Sequence, residues 1–315
     1  MEQNYNSLPI KNISTVTKEA VTYIRARKDH TIKSLKTRWP KLNKCMMGGI
    51  EPNAVITITG ISGSGKSSIA NTLETDIVDL NRDSNPIVLS FTIEMLSFRQ
   101  IGRKFSNKLR KTTSDLYSSQ KDLDNETFDK VIKVAKDFAE YPIYYVDIPG
   151  TPEQVKQTIM KFYEKNVQGT NRPFVIIYDH ALLTTKVGSM LDTITDLQGV
   201  FIAIKKLPLT SVIELSQMNR NIEAPERIMN PGNHFPMRSD ISSSDSIFQA
   251  SDYVLVVHRP ELLGITSYGP NHWLVENKIY IHILKNRDAG KPTILQFEND
   301  LMYNNLIEVS AESEA

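Results

Sequence analysis

Short apolar runs rich in β-branched residues alternate along the chain with segments of helical periodicity. The runs end in polar residues or glycine, as buried strands of a parallel sheet commonly do. Strands are predicted at residues 55–59, 86–95, 143–146, 174–179, 211–215, 253–257, 280–284 and 293–297. Helices are predicted at residues 68–80, 97–109, 126–139, 152–166 and 191–206. This alternation predicts an α/β fold with a mainly parallel central sheet flanked by helices.

Several stretches outside these elements lack a clear period. Residues 1–23 are predicted to be a flexible arm or a helix that docks elsewhere. Residues 111–124 and 219–244 are predicted to be loops, and the acidic tail from Glu308 onward is predicted to be disordered. We therefore expect three regions: an arm with a basic linker over 1–44, one main domain over 45–305, and a tail over 306–315.

The composition is that of an ordinary soluble globular protein, with 40% hydrophobic and 23% charged residues and a net charge of +1. Such a balance creates no global field for nucleic acid, so any basic patch must be local. The clearest one covers residues 25–44, where lysines and arginines are opposed only by Asp29. This segment is either a solvated face or a contact with a phosphate backbone or a neighbouring subunit.

The single cysteine, Cys45, excludes an intramolecular disulfide and disfavours a four-ligand zinc site. No apolar run approaches the length that spans a bilayer, and residues 1–10 lack a signal-peptide core. We expect a cytoplasmic protein with no membrane partner.

The strongest chemical signal is a glycine-rich turn that follows the first predicted strand and leads through Lys66 and Ser67 into a helix. This is the phosphate-binding P-loop in its required setting. Its backbone N–H groups and the helix N-terminus would hold phosphate, Lys66 would reach the β- and γ-phosphates, and Ser67 would bind Mg²⁺. The predicted nucleotide-binding residues are Gly60, Ser62, Gly63, Ser64, Gly65, Lys66, Ser67 and Ser68. A nucleotide triphosphatase core is predicted.

Three further predicted strands lead into polar side chains, Glu94, Asp179 and Gln217. In an open α/β sheet, ligands bind beyond the carboxyl ends of the strands, which is where these side chains would meet the P-loop. Asp179 suits Mg²⁺ binding, Glu94 suits activation of the attacking water, and Gln217 suits detection of the γ-phosphate without added charge.

Residues 147–150 match Asp-x-x-Gly, a motif that GTPases contain. No Asn/Thr-Lys-x-Asp motif for reading guanine is present, and Asp147 lies far from the P-loop along the chain. Asp147 is predicted to be a turn residue at a strand end.

Six motifs occur in the order seen in DnaB-type replicative helicases, and over about residues 37–297 the chain resembles the RecA-like motor domain of that family. The motifs lie at residues 48–52, 91–95, 176–180, 216–220, 239–252 and 284–287. The resemblance implies an ATP-dependent helicase that assembles as a ring, a hexamer, and moves 5′→3′ on single-stranded DNA. ATP and Mg²⁺ are the cofactors implied.

Residue roles follow from the same resemblance. Glu94 would be the catalytic base, Asp179 the Walker B acid, and Gln217 the γ-phosphate sensor that links hydrolysis to the DNA-facing loops. Lys285 and Arg287 would reach the γ-phosphate held by the neighbouring subunit, with Arg287 as the arginine finger. A finger supplied from outside makes hydrolysis depend on assembly.

Two departures from the family pattern stand out. Ser242 replaces the arginine that the family commonly has after Asp-Leu, which removes a base from the DNA-facing region. The amino-terminal scaffolding domain of bacterial relatives is expected to be absent, as in motors encoded by phages and mobile elements, and a phage protein would work in the host cytoplasm.

A primase or a helicase loader would be a further partner. The candidate DNA-binding residues are Lys186, Arg220, Arg227 and Arg238.

Two other functions fit parts of the pattern. A RecA/RadA-type recombinase or a KaiC-like ATPase would share the fold, and a filament instead of a ring would favour the recombinase. A nucleotide-gated assembly or adaptor module would fit the thin set of basic residues.

Overall fold

The computed structural model describes residues 8–242, 244–288 and 290–309, and the side chain of Ser244 lies outside the description. The chain divides into two compact units, Met1–Ser34 and Leu35–Ala315. The first unit contains helix α1 (Ile13–Lys28), whose N-terminus is capped by the Asn12 side chain at 2.9 Å from the Thr15 N–H. None of the α1 residues is buried.

The second unit alternates helices with strands, as the sequence pattern predicts. Its helices are α2 (Pro40–Cys45), α3 (Lys66–Asp79), α4 (Ser97–Leu109), α5 (Thr113–Tyr117), α6 (Asn125–Ala139), α7 (Pro152–Asn166), α8 (Met190–Ile204), α9 (Pro225–Ile228) and α10 (Ser244–Ala250). Its strands are β1 (Val55–Thr59), β2 (Ile87–Thr92), β3 (Ile143–Val146), β4 (Phe174–Asp179), β5 (Thr210–Leu215), β6 (Tyr253–His258), β7 (Ser267–Tyr268), β8 (Trp273–Leu274), β9 (Lys278–Asn286), β10 (Thr293–Asp300) and β11 (Asn305–Glu308).

The central sheet has the order β11-β10-β9-β6-β1-β5-β4-β2-β3. The strands from β6 to β3 are parallel, and β9, β10 and β11 extend the sheet in antiparallel fashion. Strand β1 lies between β5 and β6, so the P-loop leaves the sheet near its middle. The predicted α/β class with a mainly parallel sheet is confirmed.

Apolar side chains fill both faces of this sheet. On one face α3 buries Ile69, Leu73 and Ile77 beside β1 and β6. On the other face, helices α7 and α8 bury residues such as Ile159 and Leu197 against β4 and β5. Burial on both faces explains why these strands read as continuous apolar runs.

The predicted helices and strands are present with bounds that agree to within three residues, whereas three other assignments were wrong. The loop predicted at 111–124 contains α5, which begins with a reciprocal capping box between Thr112 and Asp115. The loop predicted at 219–244 contains α9 and several single helical turns. Glu308 lies in β11 and accepts hydrogen bonds from the backbone N–H groups of Lys41 and Leu42 at 2.8 and 2.9 Å.

The second half of the basic segment belongs to the main core. Leu35, Trp39 and Leu42 are buried, and the Trp39 indole N–H donates to the backbone oxygen of Leu306 at 3.0 Å. Arg38 pairs with the buried Asp76 at 2.8 Å. These packed residues precede the expected start of the main domain at residue 45. Among the described residues, no helix is long and apolar enough to cross a bilayer.

Candidate active site

The P-loop connects β1 to α3 through backbone conformations that favour glycine. Gly63 and Gly65 have φ values of +76° and +107°, and Gly65 directly precedes the first residue of α3. A Cβ at Gly65 would lie 3.0 Å from the Leu301 side chain. The turn therefore presents the free N–H groups of the first turn of α3 to a ligand, which is an arrangement suited to anions.

Lys66 lies folded back over this turn. Its Nζ donates to the backbone oxygens of Gly60 and Ile61 at 2.8 Å each. Burial lowers the pKa of Lys66 to about 8, while Asp179 and Glu94 act in the opposite direction. The ammonium group is thus held at the P-loop by weak neutral acceptors, from which phosphate oxygens would draw it.

Asp179 is the last residue of β4 and is almost completely buried. Burial, reinforced by the nearby Glu94, raises the pKa of Asp179 to about 6, although a hydrogen bond from the Ser67 side chain acts against this rise. A serine hydroxyl that donates to a buried carboxylate is an oxygen-ligand pair suited to Mg²⁺. The described residues hold no group of three or more His, Cys, Asp or Glu side chains that could form a metal site on their own. Mg²⁺ here would depend on phosphate and water for its remaining ligands, as it commonly does.

A cavity of about 240 Å³ lies at this edge of the sheet and collects most of the predicted catalytic groups. Its lining residues are Ser62, Gly63, Gly65, Lys66, Ser67, Ser68, Glu94, Arg103, His180, Gln217 and Leu301. Glu94 follows β2 and is exposed, whereas Gln217 follows β5 and is partly buried. The acid, the amide and the P-loop therefore face one space although they are far apart in sequence.

Two predicted phosphate-binding residues do not line this cavity. A Cβ at Gly60 would lie 2.5 Å from the backbone oxygen of Val257 and 2.6 Å from the Ser64 hydroxyl. Ser64 is completely buried. Both residues lie on the side of the turn that faces away from the cavity. The close approach of β6 leaves no room for a side chain at Gly60.

Three lining residues, Arg103, His180 and Leu301, are not among the site residues predicted from the sequence. Arg103 projects from α4, and its Nη1 is buried without a hydrogen-bond partner in the described structure. His180 directly follows Asp179, and its Nδ1 is likewise buried and unpaired within the same described ranges. A buried, unpaired guanidinium nitrogen near the carboxylates of Asp179 and Glu94 is arranged for an anionic ligand. The available signal was weak, because Arg103 is one of several cations on a helix with no motif around it.

Lys285 and Arg287 lie at the opposite edge of the sheet from the P-loop. Strand β9 runs antiparallel to β6, so that Asn286 pairs with Tyr253 at the beginning of β6. The Arg287 N–H donates to the backbone oxygen of Asp252, and its guanidinium pairs with the Asp252 carboxylate at 3.0 Å. The length of β1 separates the two edges by about 15 Å. Neither cation reaches the cavity of its own protomer.

The candidate DNA-binding residues differ in exposure. Lys186, Arg220 and Arg238 are exposed. Arg227 instead pairs with the fully buried Asp240 at 2.6 Å and donates to the backbone oxygen of Phe235 at 2.8 Å. These contacts commit most of its guanidinium to holding the loop together, which sequence reasoning did not foresee. Asp147 directly follows the end of β3, where it was predicted, and it accepts from the Ser97 hydroxyl at 2.9 Å at the start of α4.

The sheet order and the cavity define a P-loop nucleotide triphosphatase with a RecA-like core. The family described as DnaB-like helicase C-terminal domain matches residues 34–304. The chain belongs to this family, and it is an ATP-hydrolysing motor of a replicative DNA helicase.

Two solved structures show the same fold at low sequence identity. The first, titled "ATPase Domain of G40P", has a TM-score of 0.76 and 17% identity, with 93% of this chain and 98% of that chain covered. The second, titled "The Structure Of A DnaB-Like Replicative Helicase And Its Interactions With Primase", has a TM-score of 0.75 and 17% identity. The alignment with it covers 96% of this chain and 68% of that chain. No curated protein matches the sequence.

Proposed function

We propose that this chain is one protomer of a closed ring, a hexamer, that hydrolyses ATP between protomers and thereby moves along single-stranded DNA. The observation that carries the proposal is the separation of the P-loop from Lys285 and Arg287 at opposite sheet edges. A site whose cationic finger is built about 15 Å from its own P-loop is complete only when a second copy supplies the finger.

Within a protomer, the residues around the cavity divide the work. Lys66 leaves the loop carbonyls and binds the β- and γ-phosphates, while Ser67 and Asp179 hold Mg²⁺. The ion, when bound, neutralises charge on the phosphate oxygens. Glu94 accepts a proton from the attacking water, and Gln217 contacts the γ-phosphate. Arg103 stabilises negative charge on the same phosphate, since its unpaired nitrogen lines the cavity.

The loops that follow β4 and β5 are the proposed DNA-facing surface. They carry the exposed Lys186, Arg220 and Arg238. Each phosphate that a protomer neutralises adds about 0.7 to the slope of log affinity against log salt for a single strand. Substituting any of the three with glutamine should lower this slope. The Arg227→Gln variant should instead destabilise the loop, because its partner Asp240 is buried. A salt-independent affinity would favour the adaptor function.

Helix α1 is the proposed contact with another copy of the chain. Ile13, Val16, Val21 and Ile24 of α1 are exposed large apolar side chains. A helix with this many exposed apolar residues gains stability when a partner covers them. The Ile13→Ser/Ile24→Ser double variant should weaken the ring in size-exclusion chromatography with light scattering. A primase or a loader is a further proposed partner, and the activity is proposed to be cytoplasmic.

The decisive experiment is subunit mixing. Lys66→Ala removes the phosphate ligand but keeps the finger, whereas Arg287→Ala keeps the P-loop but removes the finger. Each variant alone should lose most strand-stimulated ATPase activity. Lys66→Ala lacks the phosphate ligand at every site, and Arg287→Ala lacks the finger, which is worth about 10³–10⁵ in rate. Mixed rings should regain activity where an Arg287→Ala site meets an intact finger.

The matched control is Glu164→Gln, an exposed carboxylate on α7 with no part in the site. It should behave as wild type, while Glu94→Gln should bind nucleotide without turnover. Full activity of Arg287→Ala alone would refute hydrolysis between protomers. Absence of strand-stimulated turnover in the wild-type ring would refute the motor itself.

A further inference from the structure

Two cations from different parts of the fold meet at the ring of Phe248 in α10. The Arg238 guanidinium carbon lies 4.9 Å from the ring centroid, and the Lys285 Nζ lies 5.1 Å from it. Both distances are within the range of cation–π attraction. Lys285 also donates to the backbone oxygen of Phe248 at 2.5 Å, so the ring and the end of α10 hold the same ammonium group.

Helix α10 connects the two edges of the sheet that the proposed function assigns to different tasks. Just before α10, the Ser242 N–H donates to the backbone oxygen of Gln217 at the P-loop edge. Just after it, the Asp252 carboxylate accepts from the N–H of Val55, the first residue of β1, at 2.8 Å. Phe248 therefore lies between the loop that carries Arg238 and the strand end that carries Lys285.

The contacts of Arg238 are of the kind that a phosphate would displace. Its other partner is Asp245, at 2.6 Å, and both side chains are about half or more exposed. Exposed ion pairs contribute little stability, so a DNA phosphate competes effectively for this guanidinium. Arg238 is also among the groups that lower the pKa of Lys285, after burial, Arg287 and Lys205. Withdrawal of Arg238 therefore changes the field at Lys285.

We propose that Phe248 is a positioning residue that couples DNA binding at the loop of residues 219–242 to the placement of Lys285. With no strand bound, Arg238 and Lys285 share the aromatic ring. When a strand binds Arg238 and draws it away from the ring, the contact between Lys285 and the ring changes. Lys285 then moves toward the neighbouring protomer. This inference rests on the proposed function, since it assigns strand binding to one end of α10 and the finger strand to the other.

The test compares three substitutions of the half-buried Phe248 in the full chain. Phe248→Leu and Phe248→Met keep an apolar side chain but remove the π face, whereas Phe248→Tyr keeps the ring. The measured quantity is the ratio of strand-saturated to strand-free ATPase turnover, together with the KM for ATP. We expect the ratio to fall about two- to fivefold in the Leu and Met variants, the worth of one cation–π contact. The Tyr variant should retain the ratio, and the KM should change little in all three.

A double-mutant cycle with Arg238→Gln separates coupling from packing. If Arg238 acts through the ring, Arg238→Gln should lower the ratio in the wild-type background and have much less effect beside Phe248→Leu. Thermal melting of each variant shows whether fold loss contributes, and a loss of the ratio at an unchanged melting temperature supports the coupling.

Two failures remain distinguishable. A wild-type protein without strand stimulation would overturn the proposed function. Wild-type stimulation with an unchanged ratio in both the Leu and the Met variant would overturn the role of Phe248 alone. Equal losses in the Tyr and Leu variants would also overturn it, because they would show that shape, not the aromatic face, matters.

Discussion

A buried ion pair joins α3 and α4, the helices that carry Lys66 and Arg103, and it offers a sharp test of how the fold holds the candidate site. Lys104 of α4 and Glu74 of α3 lie 2.8 Å apart, with side chains 2% and 3% exposed. Lys104 also donates to the backbone oxygen of Asn71 at 3.0 Å, and Glu74 accepts from Ser90 at 2.5 Å and Tyr145 at 2.9 Å. Burial lowers the pKa of Lys104, while Glu74 acts to raise it.

Lys104→Met keeps the length of the side chain but leaves the Glu74 carboxylate buried without its cation. Breaking a buried pair in this way costs about 3–5 kcal/mol. Because the hydroxyls of Ser90 and Tyr145 still donate to Glu74, we expect the lower end, about 3 kcal/mol. For a domain of this size that loss lowers the melting temperature by about 6 °C.

The double variant Lys104→Met/Glu74→Gln removes both charges; its amide oxygen accepts from one of the two hydroxyls, and its amide N–H donates to the other. We expect it to recover about 2 kcal/mol relative to Lys104→Met, since an isosteric neutral pair avoids the uncompensated charge. Urea denaturation followed by far-UV circular dichroism, at one protein concentration, measures the free energy of unfolding of each variant. A loss below 1 kcal/mol for Lys104→Met, or no recovery in the double variant, would refute this account.

Three further predictions concern the cavity. Arg103→Gln should lower the kcat of ATP hydrolysis by about 10²–10³ with a smaller change in KM, because the Arg103 guanidinium is proposed to stabilise charge on the transferred phosphate. Steady-state kinetics would contradict this prediction if only KM changed. The Mg²⁺-dependent affinity for nucleotide should depend on pH. It should reach its maximum above pH 6 and fall about tenfold for each pH unit below 6. Titration with a fluorescent nucleotide between pH 5 and 8 at fixed salt measures it. The sign follows from the pKa of about 6 for Asp179, whose ionised form binds the metal, and a flat profile would exclude this role. Gly65→Ala should weaken nucleotide binding at least about tenfold, because φ is +107° and the new Cβ would lie 3.0 Å from the Leu301 side chain. The control is Gly169→Ala, which is also at positive φ but in open space, and it should leave nucleotide binding unchanged.

Local sequence patterns determined the elements and the chemical class of this protein. Strand β1, the P-loop and α3 could be predicted together, because alternation of apolar residues, glycines at turns and the Lys66-Ser67 pair act over a few neighbouring residues. Asp179 and Gln217 could be placed near the P-loop because parallel strands end at one sheet edge.

Only the tertiary structure decided which side chains line the cavity together and which are already paired with other side chains. Arg103 reaches the cavity because α4 packs on α3, and Gly60 is excluded from the cavity because β6 approaches it from behind. Arg227 is paired with Asp240, and the opposite direction of β9 carries Arg287 away from the P-loop. These outcomes depend on contacts between residues distant in sequence, where burial and pairing decide the role of a charge that no local pattern distinguishes.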